Sequence, residues 1–211
     1  MAMRLEKLLV ALGDSVAGII RDRSQQADLQ AIGAEAVVLD LESAGRAQVA
    51  EALTGTDAVV FAAGAGPGSS TDRKNSVDRS AAILLADAAK TAGVARYVML
   101  SGVGVDDEPS SGTDPGFTEY LQAKRAADDH LRAGDLAWTI LRPIGMSDDP
   151  GTGLVDLAPA VSNDGHVTRD DVADVLAHLV HAPGTTGLTL ELAQGDTPVA
   201  EAVRRAADPA R

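Results

Sequence analysis

Residues 58–100 decide the fold through AVVFAA (Ala58–Ala63), SVDRSAAILLADAAKTA (Ser76–Ala92) and YVML (Tyr97–Leu100). The first and third are short, continuous apolar runs, as in strands that are buried on both faces of a sheet. The middle piece has helical periodicity and stops at Gly93, a residue type that commonly ends helices. The order strand, helix, strand predicts a parallel βαβ unit.

The same alternation extends in both directions along the chain. Further short apolar runs predict strands at Val16–Ile20, Val37–Leu41, Trp138–Leu141 and Leu188–Leu192. Helical stretches are predicted at Arg4–Leu12, Asp28–Gly33, Gln48–Leu53, Tyr120–Arg132 and Arg169–His181. The pattern predicts one α/β domain over residues 1–211, with a Rossmann-like, doubly wound, mostly parallel sheet. Residues 144–211 are expected to contribute a small C-terminal lobe on the substrate side.

Composition narrows the class of partner. The chain has 211 residues, a net charge of -13 and no cysteine. An acidic chain repels nucleic acid and anionic membranes, and no apolar run is long enough to span a bilayer. Without cysteine there are no disulfides or thiolate sites, and His178 and His181 have no evident third ligand, so no metal site is expected. A cytoplasmic protein with a small-molecule substrate is expected, and a homodimer through the Ser76–Ala92 and Tyr120–Arg132 helices is possible.

The cluster Gly64-Ala65-Gly66-Pro67-Gly68 follows a predicted strand but fits the dinucleotide fingerprint badly. That fingerprint needs a glycine where Ser69 stands, and a helix that opens inside the motif. We interpret Ala62, Ala63 and Gly64 as small residues that let a cofactor's pyrophosphate or ribose approach the backbone. The alternative is a plain surface turn.

Charged residues close the first two predicted strands. Arg21, with Arg23 two residues later, lies where a dinucleotide fold meets the adenosine ribose, and arginine there suits a 2′-phosphate. The alternative is a solvated arginine at the end of a strand. Asp40, with Leu41 beside it, is a predicted cofactor contact that either accepts a hydrogen bond from the adenine amino group or caps a turn.

Tyr120-Leu121-Gln122-Ala123-Lys124 is the sharpest chemical signal. Positions i and i+4 share one helical face, so the phenol and the ammonium can enter one cleft. A neighbouring lysine is expected to lower the phenol's pKa and make it a general acid or base near neutral pH. Ser101 ends the preceding strand, where its hydroxyl could bind a substrate carbonyl. The alternative is an exposed helix with a fortuitous spacing.

With these motifs in hand, the chain resembles the short-chain dehydrogenase/reductase superfamily, in its atypical NAD(P)-binding, epimerase/dehydratase-like branch. The resemblance spans Arg4 to Val203 and includes, besides the motifs above, RYVMLSG (Arg96–Gly102), WTILRP (Trp138–Pro143) and VTRDDVADV (Val167–Val175).

The resemblance implies roles for particular residues. Tyr120 is similar to the family's acid/base, Lys124 to the lysine that lowers its pKa and binds the nicotinamide ribose, and Ser101 to the residue that polarises the substrate. Asp78 occupies the place where many members carry asparagine. Arg21 resembles the NADP-selecting arginine, and Pro143-Ile144 the segment that passes the nicotinamide.

The family's first strand and its GxxGxxG loop have no counterpart here, because Met1–Leu12 aligns with the later part of the helix that follows that loop. That strand lies in the centre of the family's sheet, so both of its neighbours are expected to have unpaired edges. The hypothesis that follows is a shortened chain or a late start site, with roughly 15–20 residues missing, about one strand and a tight loop.

The leading functional expectation is an NADP-dependent oxidoreductase or epimerase for a small carbonyl or hydroxyl substrate, with NADP favoured over NAD. Two alternatives stay open. One is a non-catalytic NADPH-binding redox sensor or regulatory module, and the other is a truncated form with impaired cofactor binding.

Overall fold

The quoted strand–helix–strand unit folds into two adjacent parallel strands and the helix that connects them. The computed structural model describes residues 1–66, 68–108, 112–162 and 165–208. Its strands are β1 (Ala17–Ile20), β2 (Glu35–Val38), β3 (Ala58–Phe61), β4 (Arg96–Leu100), β5 (Ala137–Pro143), β6 (Gly145–Ser147), β7 (Leu154–Ala158), β8 (His166–Thr168), β9 (Leu188–Gln194) and β10 (Thr197–Pro198).

The helices fall between these strands. They are α1 (Ala2–Leu12), α2 (Gln26–Ala31), α3 (Arg46–Ala52), α4 (Thr71–Arg73), α5 (Ala82–Ala92), α6 (Pro115–Ala133), α7 (Arg169–Val180) and α8 (Val199–Ala207). A π-helical segment, Lys74–Ala81, joins α4 to α5, so the helix predicted from Ser76 begins in a wider coil. Gly93 ends α5 with a φ of 74°, in the left-handed region that glycine tolerates best.

The main sheet has six strands in the order β10–β7–β9–β5–β4–β3. Strands β3, β4, β5 and β9 are parallel, and β7 runs antiparallel to β9. The fold is therefore α/β and Rossmann-like with a mostly parallel sheet, as the sequence predicts. Much of the chain after Pro143 extends this sheet through β7, β9 and β10, whereas β6 and β8 form a separate parallel pair.

Strand β4 shows why the sheet is doubly wound, because all five of its residues are buried. Val98 and Leu100 face a core that is built with α1, α7 and α8. Tyr97 and Met99 face the opposite core, built with α3, α5 and α6. Successive strand residues point to opposite faces, so helices on both sides of the sheet are required to cover them.

Strands β1 and β2 form a separate two-stranded parallel sheet. Ile19 of β1 packs against the core that contains Phe61 of β3, so the pair continues the same layer. Within the described part of the chain, β1 pairs only with β2, and β3 only with β4. This break in the hydrogen-bonding ladder falls where the family's first strand is expected.

Candidate functional site

The carboxyl ends of β3, β4 and β5 meet at one edge of the sheet, because these strands are parallel neighbours. The segments that follow them are also tied together by the backbone. The Ser101 amide donates to the Leu141 carbonyl at 2.8 Å, and the Val103 amide donates to the Pro143 carbonyl at 3.2 Å. This is the edge at which ligands bind in open α/β sheets.

Lys124 reaches this edge from α6 and is only 4% exposed. Its Nζ donates to the Leu100 carbonyl at 3.1 Å and lies 3.4 Å from Oδ1 of Asp78, which is 1% exposed. The other carboxylate oxygen of Asp78 accepts a hydrogen bond from the Ala65 amide at 3.1 Å. The pair therefore connects the end of β4, the π-helical segment and the loop after β3.

Burial makes the two charges dependent on each other. Burial lowers the pKa of Lys124, and the neighbouring Asp78 carboxylate opposes that change. Removing one partner of a buried ion pair leaves the other charge uncompensated, which costs about 3–5 kcal/mol. Asp78 lies in a π-helical segment, a type of irregularity that is frequent at functional sites.

Tyr120 lies one turn before Lys124 on α6. The Lys124 Nζ is 6.0 Å from the centre of the Tyr120 ring, which stacks on Phe117 at 5.9 Å. A Cβ placed on Gly102 would lie 3.4 Å from the Tyr120 hydroxyl. Gly102 directly follows Ser101, so the Tyr120 hydroxyl lies near the carboxyl end of β4. The structure thus brings Tyr120, Lys124 and Asp78 together.

The expected electrostatic effect of Lys124 on Tyr120 is wrong. Burial, followed by the negative charges of Asp78 and Asp128, raises the pKa of Tyr120 to about 12. The Lys124 charge is already compensated by the adjacent Asp78 carboxylate, so it does not offset these contributions. Tyr120 is consequently a neutral phenol at physiological pH, and its hydroxyl is able to donate a proton.

Ser101 belongs to a second buried network. Its hydroxyl donates to Oδ2 of Asp128 at 3.0 Å, and the same oxygen accepts from Nε and Nη2 of Arg142 at 3.1 and 2.7 Å. Arg142 also binds both oxygens of Asp106, at 2.7 and 3.1 Å. The Ser101 proton is therefore directed to Asp128, and its predicted role toward a substrate carbonyl stays a prediction.

The pKa values of the two carboxylates in this network, Asp106 and Asp128, are shifted in opposite directions. Hydrogen bonds from Arg142 and Arg132 hold the pKa of Asp106 well below its usual range. Burial raises the pKa of Asp128, whose Oδ1 has no hydrogen-bond partner in the described part of the chain. Asp128 is not among the site residues predicted from the sequence, although its spacing of four from Lys124 continues the helical face that carries Tyr120.

Arg21 lies at the other end of the site, just beyond β1. Its Nη1 donates to Oε2 of Glu42 at 3.0 Å, and Nη1 of Arg73 donates to the same oxygen at 3.2 Å. Ser76 donates to the second carboxylate oxygen of Glu42 at 2.5 Å. Glu42 and Arg73 are not among the residues predicted from the sequence, because Glu42 lies 21 residues after Arg21, and Arg73 lies 31 residues after Glu42.

The other residues predicted to contact the cofactor on this side form fewer side-chain hydrogen bonds than Arg21 and its partners. Arg23 begins an exposed 3-10 turn and forms no side-chain hydrogen bond or ion pair with the described residues. Asp40 caps a turn, because its Oδ1 accepts from the Glu42 amide at 3.0 Å. Leu41 packs partly buried against the core formed with α3, α5 and α6.

The loop after β3 leaves room for a ligand. Ala63 and Gly64 are exposed, and a Cβ on Gly64 would lie 3.1 Å from Oδ1 of Asp78. Pro67 lies outside the described residues, and the next helix opens only at Thr71. Ala62 packs on the core with α1, α7 and α8. The segment therefore lacks the helix-opening geometry of the dinucleotide fingerprint, as its sequence predicts.

At the other flank, Pro143 ends β5 in the core, and the Ile144 amide donates to the Leu192 carbonyl at 3.0 Å. Their predicted place beside the nicotinamide stays a prediction.

The donor set fits a dinucleotide's ribose. Among the described residues, the buried Oδ1 of Asp78 is ion-paired with the Lys124 ammonium at 3.4 Å but has no other polar partner, and that ammonium also donates to the Leu100 carbonyl. An unsatisfied carboxylate oxygen beside an ammonium suits a diol, which both donates and accepts.

None of the helices in the described residues is long and apolar enough to cross a membrane.

Comparison with known proteins identifies the family of the chain. The family model described as NAD(P)H-binding matches residues 1–183. The uncharacterized sugar epimerase YhfK of Bacillus subtilis strain 168 is 35% identical over 191 residues, which cover 90% of this chain and 87% of that protein.

Solved structures give the same result. A protein from Bacillus halodurans, named as an NAD-dependent epimerase/dehydratase, is 36% identical and superposes with a TM-score of 0.88 over 97% of this chain and 94% of its own. The oxidoreductase ylbE from Lactococcus lactis is 26% identical, with a TM-score of 0.80 over 96% of this chain and 90% of its own. The resemblance drawn from the sequence motifs is confirmed, and the chain belongs to the NAD(P)H-binding family of Rossmann-like proteins.

Proposed function

We propose that this protein is an NADP-dependent oxidoreductase or epimerase that acts on a small carbonyl or hydroxyl substrate. The observation that carries the proposal is the grouping of Tyr120, Lys124 and Asp78 at the carboxyl edge of the sheet. A buried ion pair next to a phenol is expensive to maintain, and it is typical of sites that move protons. The names of the relatives, an epimerase and an oxidoreductase, support the same class of reaction.

The nicotinamide cofactor, when bound, supplies or accepts the hydride. Tyr120 then handles the proton. Its raised pKa keeps the hydroxyl protonated at neutral pH, so it donates a hydrogen bond, and then the proton, to the oxygen of a carbonyl that is being reduced. In the reverse direction the phenolate must form first, which makes oxidation the direction that is favoured by alkaline pH.

Lys124 and Asp78 bind and orient in this proposal. The ammonium and the unsatisfied carboxylate oxygen would hold the ribose hydroxyls, while small side chains at Ala62, Ala63 and Gly64 let the cofactor approach the sheet edge. Ser101 would contact the substrate carbonyl only after its hydroxyl leaves Asp128. The preference for NADP over NAD is proposed from Arg21, whose guanidinium suits a 2′-phosphate.

The test is Tyr120→Phe, assayed by NADPH oxidation across a panel of small aldehydes and ketones. Because the variant lacks the proton donor, we expect turnover to fall by a factor on the order of 100 or more, while NADPH affinity stays within about twofold. Wild-type turnover in the variant would refute the role assigned to Tyr120.

Tyr97→Phe is the matched control. The Tyr97 hydroxyl is buried in the core and has no hydrogen-bond partner among the residues that the structure describes, so its loss leaves the site intact. We expect this variant to retain wild-type activity. A loss equal to that of Tyr120→Phe would show that the assay reports folding and not chemistry.

A further inference from the structure

Asp128 is a buried carboxylate to which the proposed reaction gives no role. Its side chain is fully buried, and its Oδ2 accepts three hydrogen bonds, two from the Arg142 guanidinium and one from the Ser101 hydroxyl. Arg142 is held in turn by both oxygens of Asp106, at 2.7 and 3.1 Å. The partner of the Ser101 hydroxyl is therefore itself fixed by charge-assisted hydrogen bonds.

This arrangement determines which way the Ser101 hydroxyl points its proton. Oδ2 of Asp128 faces two N–H groups of Arg142, so a proton on this carboxyl group would have to reside on Oδ1. Ser101 is consequently the donor in its 3.0 Å contact with Asp128, whatever the charge of the carboxyl group. A hydroxyl oxygen also has two lone pairs, and no group among the described residues donates to that of Ser101. What Ser101 retains for a ligand is acceptor capacity.

Ser101 lies next to the proton donor of the proposed reaction. The Lys124 ammonium binds the carbonyl of Leu100, the residue before Ser101, and the Tyr120 hydroxyl lies near Gly102, the residue after it. Both hydroxyls are therefore at the carboxyl end of β4, but they offer different things to a ligand. Tyr120 offers a donor and Ser101 offers an acceptor. A complementary ligand has an acceptor and a donor on neighbouring atoms.

We propose that Asp128 is a positioning residue that holds Ser101 as a hydrogen-bond acceptor, and that the site thereby selects α-hydroxycarbonyl substrates. The inference rests on the proposed function, in which Tyr120 donates to the carbonyl oxygen that is reduced. A hydroxyl on the adjacent carbon then donates to Ser101, whereas a plain ketone brings no donor for it. A site built to hydrogen-bond a substrate hydroxyl rejects the analogue that lacks this group.

The experiment compares hydroxyacetone with butanone, in which a methyl group replaces the hydroxyl. The value of kcat/KM is measured for each by NADPH oxidation. We expect the wild type to prefer hydroxyacetone by a factor on the order of 10, because one hydrogen bond to an otherwise unpaired group separates the two substrates. Ser101→Ala lacks the acceptor and should lose most of this preference. Equal kcat/KM values in the wild type, or an unchanged preference in Ser101→Ala, would overturn the inference.

Two substitutions of Asp128 separate positioning from a merely structural role. In Asp128→Asn the amide oxygen can replace Oδ2 and accept from Arg142 and Ser101, so we expect the preference to be kept. Asp128→Ala removes the acceptor and leaves Arg142 paired with Asp106. Ser101 is then free to donate to a carbonyl, and the ratio of the two kcat/KM values should fall as in Ser101→Ala. A structural role alone would lower both values by the same factor and leave their ratio unchanged.

Ser15→Ala is the matched control for the loss of a serine hydroxyl. Ser15 is exposed and precedes β1, far along the chain from the carboxyl end of β4. We expect this variant to keep the wild-type preference. A loss equal to that of Ser101→Ala would contradict the role given to Ser101.

Binding of the two compounds without NADPH separates this inference from the proposed function. In an amide NMR titration of the whole chain, we expect hydroxyacetone to shift the Ser101 and Gly102 resonances at concentrations at which butanone does not. Absence of NADPH oxidation would contradict the proposed function, whereas equal shifts with both compounds, or none with either, would overturn the selection by Ser101.

Discussion

At the scale of single residues, the protonation of Tyr120 is decided by burial and not by its closest cation. Lys124 is near, but its charge is paired with Asp78, so the phenol experiences a poorly solvated setting with two carboxylates nearby. The same effect operates more strongly at Tyr97, where complete burial raises the pKa of the hydroxyl above its usual value. These are the two tyrosines of the chain.

This predicts how the tyrosines titrate. An ordinary tyrosine is about half ionised at pH 10. Because the pKa of both tyrosines is raised, we expect almost no phenolate absorbance at 295 nm from the folded protein at pH 10, and about half of the full signal after unfolding in urea. The folded state retains these protons longer, so stability should fall as pH rises from about 10 toward 12. Half-ionisation of one tyrosine at pH 10 in the folded protein would contradict this.

How far the sequence could predict the site depends on the distance between partners along the chain. Tyr120 and Lys124 are one helical turn apart, so their spacing alone places them on a shared face. Asp128 accepts from Ser101, 27 residues away, and Glu42 accepts from Arg73, 31 residues away. Such pairs depend on how elements pack, and a single sequence carries no local signal for them.

At the scale of elements, Asp171 connects the turn at Thr152 and Gly153 to the start of α7 through hydrogen bonds. It is buried, and its amide and carboxylate exchange hydrogen bonds with Thr168, which caps the helix. The carboxylate also accepts from the amides of Thr152 and Gly153, at 3.0 and 2.8 Å. One side chain therefore holds a helix terminus and the turn that leads into β7.

Asp171→Ala is expected to lower the free energy of unfolding by about 3 kcal/mol, because the buried carboxylate loses its hydrogen bonds from Thr168, Thr152 and Gly153 at once. Urea unfolding followed by circular dichroism measures this. Asp170→Ala, the adjacent substitution, removes an exposed ion pair with Arg4 and should cost about 1 kcal/mol or less. Similar losses in the two variants would argue against the fastening role of Asp171.

The elements that sequence analysis predicted are those with long periodic or continuous apolar patterns. Strand β9 and helix α7 were anticipated within a few residues, because their apolar positions are regular. Strands β6 and β8 have three residues each, too few for a period to show, and their pairing is set by distant chain segments. Strand β7 follows a loop-rich stretch, and only its first three residues alternate between exposed and buried, which is too short a pattern to predict a strand.

At the scale of the whole molecule, the sheet is unevenly supported. Strand β4 has a hydrogen-bonded neighbour on each side and a core on each face, whereas β1 and β2 are paired only with each other among the described residues. The core specific to this pair has three buried residues, Ile20, Leu29 and Ala34. The end that is proposed to receive the adenosine phosphate is therefore the less strongly held end.

Native-state hydrogen exchange should expose this difference. Breaking the backbone hydrogen bonds of β4 and β5 exposes both large cores. We therefore expect their amides to exchange at rates near those of global unfolding. Opening of β1 and β2 exposes the small core and, of the larger core, the contact made by Ile19. We therefore expect their amides to exchange at least tenfold faster, a difference of about 1.4 kcal/mol in opening free energy. Mass spectrometry of peptides that cover 17–38 and 96–100 provides the comparison. Equal protection of the two regions would mean that the β1–β2 pair unfolds only with the main sheet, and that the break in the ladder does not weaken the adenosine end.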